Sequence, residues 1–132
     1  MDIKFRGLKI LVTGGAGFLG RHLLDNLIKK RGVSPEDIFV PRSQDFDLRR
    51  REDCEKVCRH KDLVIHLAAK VGGIGYNQEK PGELFYDNIV MGTQMLEAAY
   101  RAGVKKIVIL VTICSYPKFT PLPFSENDLW SG

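Results

Sequence analysis

Apolar residues recur along this chain with alternating periods, and the alternation predicts strands and helices in turn. Leu8, Ile10, Leu11 and Val12 form a strand-like run. Phe18, Leu19, Leu23, Leu24, Leu27 and Ile28 follow at helical spacing, with Arg21, Asp25, Lys29 and Lys30 off the stripe and Gly32 ending it. Residues 36–40 read as a second strand, introduced by Ser34-Pro35 and closed by Pro41. Residues 47–60 begin as a turn and continue as a charged helix that turns Leu48, Cys54 and Val57 inward. Residues 62–69 are a continuous apolar run, as in a strand covered on both faces of a parallel sheet. A Gly-rich loop over 71–78 precedes Pro81, which suits the first turn of a long helix reaching residue 102. Leu84, Phe85, Asn88, Ile89, Met95, Leu96 and Ala99 are expected on the apolar side of that helix, and Gly103 caps it. Residues 106–111 make a fourth strand, and Pro117, Pro121 and Pro123 mark the tail from Tyr116 as a loop.

Strands alternating with helices imply a parallel, doubly wound α/β sheet of the Rossmann class. With right-handed crossovers the expected strand order is 3-2-1-4, truncated at about four strands. At 132 residues the chain reads as one domain at most. A ligand belongs at the carboxyl ends of the strands, where the order reverses between the first strand and the fourth.

The chemistry begins where the first strand meets the first helix. Gly14, Gly17 and Gly20 stand at Gly-x-x-Gly-x-x-Gly spacing, with Gly15 in a variable place. A strand turning sharply into a helix leaves unpaired backbone N–H groups at the positive end of the helix dipole, a site for a pyrophosphate. Side chains at the glycines would block the turn or hold the phosphates away. Gly14, Gly17, Phe18, Leu19 and Gly20 are therefore candidate cofactor contacts. In this fold an acidic residue ending the second strand holds the ribose of NAD, whereas an arginine there accommodates the extra phosphate of NADP. Here the strand ends Val40-Pro41-Arg42-Ser43, which favours NADP(H), although Arg42 also reads as a solvated loop residue. The run Arg49-Arg50-Arg51 reads as a solvated helix face.

Composition narrows the partners. With 44% hydrophobic and 27% charged residues, the chain has enough apolar content for a core of its own. The net charge of +4 suits a phosphorylated ligand, but no basic stripe interleaved with aromatics points to nucleic acid. No apolar run has membrane-spanning length, and no signal-peptide pattern opens the chain, so a cytoplasmic location is the default expectation. Cys54 and Cys58 share a helix face near His60; without a further ligand set they read as buried thiols rather than a metal site.

Three segments resemble the GDP-L-fucose synthase family of extended short-chain dehydrogenases/reductases, that is, NAD-dependent epimerases/dehydratases. They are His66-Leu67-Ala68-Ala69-Lys70-Val71-Gly72-Gly73-Ile74, then Asp87-Asn88 followed by residues 97–106, and Cys114-x-Tyr116-Pro117-Lys118. The resemblance implies epimerisation of GDP-4-keto-6-deoxymannose at C3 and C5 and reduction of its C4 ketone with NADPH. It implies cofactor contacts at Leu67, Ala68, Ala69 and Asn88, and an adenine contact at Asp47-Leu48, where an aspartate also suits a helix N-cap. Cys114 aligns with the epimerisation cysteine, and Thr112 with the serine that hydrogen-bonds the ketone. Val111-Thr112-Ile113 departs from the family's Gly-Ser-Ser, and threonine adds a methyl that stiffens χ1. The family's catalytic Tyr-x-x-x-Lys is expected just after a segment like 126–132, where the chain stops, and its histidine and substrate domain are not found, so the resemblance implies that 1–132 is an incomplete N-terminal dinucleotide-binding domain without reductase activity. The alternatives are a non-catalytic NADP-binding or interaction module, and another extended nucleotide-sugar epimerase/dehydratase. The helix from Pro81 resembles the one through which family members dimerise, and self-association is expected.

Overall fold

The structure, a computed structural model, describes residues 4–131. Four parallel strands form one sheet: β1 (Ile10–Thr13), β2 (Ile38–Phe39), β3 (Leu63–His66) and β4 (Lys106–Ile109), in the order β2-β1-β3-β4. Ile10 stands opposite both Ile38 and Leu63, and His66 lies between Thr13 and Ile109. The helices are α1 (Phe18–Lys29), α2 (Arg51–Cys58), α3 (Ile74–Glu79) and α4 (Pro81–Arg101). This is the expected doubly wound α/β architecture, but β3 lies beyond β1 rather than beyond β2, so the order is 2-1-3-4 and not 3-2-1-4.

The faces on which the helices pack explain that order. Ile10, Val12, Leu63 and Ile65 point to one side of the sheet and pack with Leu27 of α1 and Val33. Leu11 and Val64, one residue out of phase, point to the other side and pack with Cys54, Val57 and Cys58 of α2 and Met95, Ala98 and Ala99 of α4. Right-handed crossovers through helices on opposite faces must step in opposite directions across the sheet. The α1 crossover carries β2 to one side of β1; the α2 crossover then brings β3 back past β1, and α4, on the same face as α2, continues outward to β4. The point where the order reverses therefore lies between β1 and β3.

Several elements are shorter than the apolar pattern suggests. Ser34-Pro35 opens a single 3-10 turn, Pro35–Asp37, with the Asp37 amide donating to the Ser34 carbonyl at 2.9 Å, so β2 starts only at Ile38. The helix expected over 47–60 is confined to α2, because 47–50 form a loop held by Asp47. The expected Gly-rich loop over 71–78 contains α3, whose start Asn77 secures by donating to the Gly72 and Gly73 carbonyls at 2.8 and 2.9 Å. On α4 the buried side is Leu84, Asp87, Met95, Ala98 and Ala99; Phe85, Ile89 and Leu96, expected inward, are exposed with Tyr100. Phe18 and Leu19 likewise stay outside the α1 core, Phe18 being 85% exposed. β4 is an edge strand among the described residues, ends at Ile109 rather than at residue 111, and leaves Val108 and Ile109 exposed, as are Leu110 and Val111 after it. Among the described residues no helix is long and apolar enough to cross a membrane.

The two ends of the sheet differ. At the amino end Asp62 accepts from the Lys9 amide at 2.9 Å and pairs with Lys105 at 2.8 Å, linking the starts of β1, β3 and β4. The carboxyl end is open, and a cavity lies there.

Cys54 and Cys58 are buried free thiols: Cys54 donates to the Leu48 carbonyl at 3.1 Å, and Cys58 lies 3.5 Å from the Met95 sulfur. Burial pushes their pKa up, to about 12 and about 11. Cys114 is exposed. Ellman's reagent is therefore expected to titrate Cys114 alone in the folded chain and all three cysteines after denaturation; rapid labelling of Cys54 or Cys58 under native conditions contradicts this packing.

Candidate functional site

The site is built around the approach of the β1–α1 turn to the end of β3. Gly14 has φ +68°, a conformation that L side chains rarely adopt, and a Cβ there would lie 2.8 Å from the Ala68 nitrogen and from the Leu67 carbonyl carbon. Gly20 sits beneath the turn; a Cβ on it would meet the Gly14 oxygen at 2.3 Å. Gly15, expected in a variable place, is buried against the side chain of Val40. Thr13 completes the joint: its Oγ1 accepts from the Leu67 and Ala68 amides, both at 3.2 Å, and lies 2.7 Å from Nδ1 of buried His66. Burial lowers the His66 pKa, which favours a neutral ring as part of the scaffold.

Gly17 is the N-cap of α1 and places no side chain over the helix start. The first helical bond runs from Arg21 N to the Gly17 carbonyl at 3.1 Å, so the amides of Phe18, Leu19 and Gly20 precede it. These donors and the helix dipole suit an anion. Beside the turn lies a cavity of about 680 Å³, lined by Gly14, Ala16 and Gly17, by Pro41, Arg42 and Ser43 after β2, by Phe46 to Arg49, by Leu67 to Val71, and by Asp87 and Met91 of α4.

Three cations line this cavity, in different electrostatic states. Arg49 grips Asp47 through Nε and Nη2, both at 2.9 Å, and reaches the Asp87 carboxylate through Nη1 at 3.4 Å. Lys70 Nζ donates to Asp87 at 2.8 Å and also to Glu83. Hydrogen bonds from Arg49 hold the Asp47 carboxyl at about 2, below its ordinary range; the bond from Lys70 lowers Asp87 in the same sense. Arg42 has no carboxylate partner among the described residues. Arg49, expected on a solvated helix face, is thus part of the cavity wall and lies before α2 begins.

Of the sequence-predicted residues, Gly14, Gly17, Arg42, Asp47, Leu48, Leu67, Ala68 and Ala69 converge on this cavity. The side chains of Phe18 and Leu19 do not line it, and Gly20 serves packing beneath the turn. Asn88 acts from behind: its Oδ1 accepts from the Lys70 amide at 2.8 Å and its Nδ2 donates to the Lys70 carbonyl at 2.9 Å. Asp47 is not the α2 N-cap, a position that Arg50 holds. Thr112 and Cys114 lie apart from the cavity, beyond β4, on a 3-10 turn where the Cys114 amide donates to Thr112 Oγ1 at 3.3 Å. Sequence reasoning quoted Lys70 and Asp87 only as motif residues, not as members of the site, and left out Phe46; an aspartate among the apolar positions of α4 is the local signal toward the cavity. One literal Tyr-x-x-x-Lys does occur, at Tyr76 and Lys80, but Tyr76 donates to Glu83 at 3.3 Å and neither residue lines the cavity.

A sequence profile described as the NAD dependent epimerase/dehydratase family matches residues 10–131. The chain belongs to that family. It is 35% identical to a GDP-L-fucose synthase of Sinorhizobium fredii over 96% of its own length and 40% of the relative's. It is 34% identical to GDP-mannose 3,5-epimerase 1 of Oryza sativa subsp. indica over 93% of its length and 36% of the relative's. A crystal structure of a GDP-L-fucose synthetase from Naegleria fowleri bound to NADP is similar with a TM-score of 0.73 and 32% identity, over 93% of this chain and 36% of that one. The chain thus spans about 40% of the length of these curated relatives.

Membership in the NAD dependent epimerase/dehydratase family agrees with the site's own geometry: a Cβ-free cradle, amides at a helix start that precede the first helical bond, and on one cavity wall a cation without a carboxylate partner among the described residues together fit a dinucleotide phosphate. Gly14→Ala is expected to destabilise the fold by about 2 kcal/mol or more, since it adds left-handed strain to a backbone overlap. A urea titration checks this; an unchanged midpoint would show that the turn opens at no cost.

Proposed function

We propose that this chain is the NADP(H)-binding part of a cytoplasmic GDP-sugar 3,5-epimerase/4-reductase acting on GDP-4-keto-6-deoxymannose. The observation that carries the cofactor reading is the state of Arg42, the cavity-lining cation after β2 that has no carboxylate partner among the described residues. In this reading the amides at the start of α1 hold the pyrophosphate, Arg42 and Ser43 hold the 2′-phosphate, and Asp47 and Leu48 border the adenine. Leu67, Ala68 and Ala69 line the continuing wall, and Asn88 fixes its course by clamping Lys70. Bound NADPH supplies the hydride for the ketone. Thr112, whose oxygen accepts from the Cys114 amide, keeps its own proton free to donate to the ketone oxygen. Cys114 would move a proton on one face of the carbons beside that ketone, and inversion needs a second acid–base group on the opposite face, a histidine in the family that this chain resembles.

The sugar assignment is supported by the Cys114-x-Tyr116-Pro117 pattern and by the likeness to the Sinorhizobium synthase. A second reading, GDP-mannose 3,5-epimerisation, is favoured by the nearly equal identity to the rice epimerase. Both keep a GDP-linked hexose as substrate class.

Calorimetric titration of NADPH and NADH into the wild type and Arg42→Asp tests the cofactor reading. Wild type is expected to prefer NADPH, and Arg42→Asp to weaken NADPH by about ten- to a hundredfold while leaving NADH nearly unchanged. Equal NADPH affinity in the two proteins removes Arg42 from the phosphate role.

The exposed stripe Phe85, Ile89, Leu96 and Tyr100 on α4 supports pairing of two copies through this helix. Sedimentation is expected to give a dimer for the wild type and a monomer for a chain carrying Phe85→Glu and Tyr100→Glu. A monomeric wild type sinks this assignment.

A further inference from the structure

The contact between Thr13 and His66, where β1 and β3 end side by side, can be counted proton by proton. A threonine hydroxyl offers one donor and two acceptor positions. Thr13 Oγ1 accepts from the Leu67 and Ala68 amides, both at 3.2 Å. The Leu67 amide is shared, since it also reaches the Thr13 carbonyl at 3.2 Å. The hydroxyl proton then has one acceptor among the described residues, His66 Nδ1 at 2.7 Å. Thr13 is fully buried, so water offers no other. Nδ1 is therefore the bare nitrogen of a neutral ring, and the ring proton sits on Nε2.

The opposite tautomer would donate from Nδ1 into Thr13 Oγ1. Three donors would then meet two acceptor positions, and the hydroxyl proton would be left buried without a partner. An added proton has the same effect, because Nδ1 is the ring position free to take it. The surroundings give an imidazolium no support. Thr13 on β1 and Ile109 on β4 are the sheet neighbours of His66, and neither titrates. Thr13 and His66 continue the alternation of Leu11 and Val64, so they face α2 and α4. The buried ionisable groups of those helices are Cys54, Cys58 and Asp87. Burial keeps both thiols neutral, and Asp87 is engaged by Lys70 and Arg49.

We propose that His66 is a positioning residue of the cofactor site: as the Nε2–H tautomer it takes the Thr13 hydroxyl proton, and so keeps the Thr13 oxygen turned to the Leu67 and Ala68 amides. The inference rests on the reading of this cavity as an NADP(H) site. His66 does not line the cavity, but Leu67 and Ala68 do, and they meet Gly14 across the joint. A hydroxyl turned the wrong way releases those amides and loosens the wall against which the dinucleotide packs.

Three measurements on the chain as it stands test this. The first is long-range proton–nitrogen NMR with nitrogen-labelled histidine, without ligand. The histidines are His22, His60 and His66, and His66→Asn identifies the His66 signals by their loss. A neutral ring protonated on Nε2 is expected; protonation on Nδ1 overturns the inference whatever the chain binds. The second is calorimetry with NADPH. His66→Leu removes the acceptor and is expected to weaken binding about tenfold. His66→Asn places an amide oxygen near the position of Nδ1 and is expected to stay within about threefold of wild type. Full affinity in His66→Leu, or equal weakening in both variants, overturns the role of His66 while the cofactor site stands. Failure of wild type to bind NADPH overturns the cofactor site and the positioning role with it. The third is stability against pH. An unfolded histidine protonates near about pH 6.5, and burial holds folded His66 below its ordinary value. The unfolded chain thus binds the extra proton first, and stability present above that pH is lost as the pH falls. Relative to His66→Asn, the urea midpoint of wild type is expected to drop between about pH 7.5 and about pH 5.5. Parallel profiles overturn the neutral ring.

Discussion

The approach of the Gly14 backbone to the Leu67–Ala68 peptide is the constraint on which the rest of the site depends. Without a Cβ at Gly14, the turn after β1 can lie directly against the end of β3, and Thr13 uses one hydroxyl to satisfy the two amides that emerge there. Two strand ends are thereby welded at the point where the strand order reverses. The start of α1 opens on one side of that weld, and the Leu67–Val71 wall runs from the other. A methyl group at Gly14 would push these apart and widen the cavity where a pyrophosphate needs close backbone contact.

Charge follows from the same arrangement. Because β3 lies next to β1, its continuation at Lys70 runs over α4, where Asn88 clamps the Lys70 backbone and Asp87 takes its ammonium group. Asp87 also reaches Arg49 on the loop before α2, so one buried carboxylate ties together segments far apart in the sequence. Individually such pairs add little stability at a half-exposed wall. Their consequence is positional: two cations are paired within the wall, and Arg42 lines the cavity with no carboxylate partner among the described residues.

Some of the site was legible because its residues are local in sequence. Gly14, Gly17 and Gly20 are one turn, Arg42 follows one strand closely, and Leu67 to Ala69 directly follow another; each position follows from a neighbouring apolar run. The long-range members were not legible. Nothing adjacent to Arg49 in the sequence distinguishes it from Arg50 and Arg51, and only the packing of α4 brings Asp87 within its reach. The outward turn of Phe85, Ile89 and Leu96 was hidden for a related reason: α4 is amphipathic in more than one register, and the sheet selects the face bearing Leu84, Met95 and Ala99.

By itself the sequence determined the alternation of strands and helices, the parallel sheet, the glycine turn and the membership of its motifs in a nucleotide-sugar epimerase/dehydratase lineage. These follow from local periodicity, from backbone sterics at glycine and from short motifs, none of which needs a distant partner. The tertiary structure alone decided the order of the strands, the buried face of α4 and the pairing of the cavity's charges. Each depends on which face of the sheet a helix covers. That choice is made by the summed burial of Leu11, Val64, Cys54, Val57 and Met95 against one another, not by any one segment.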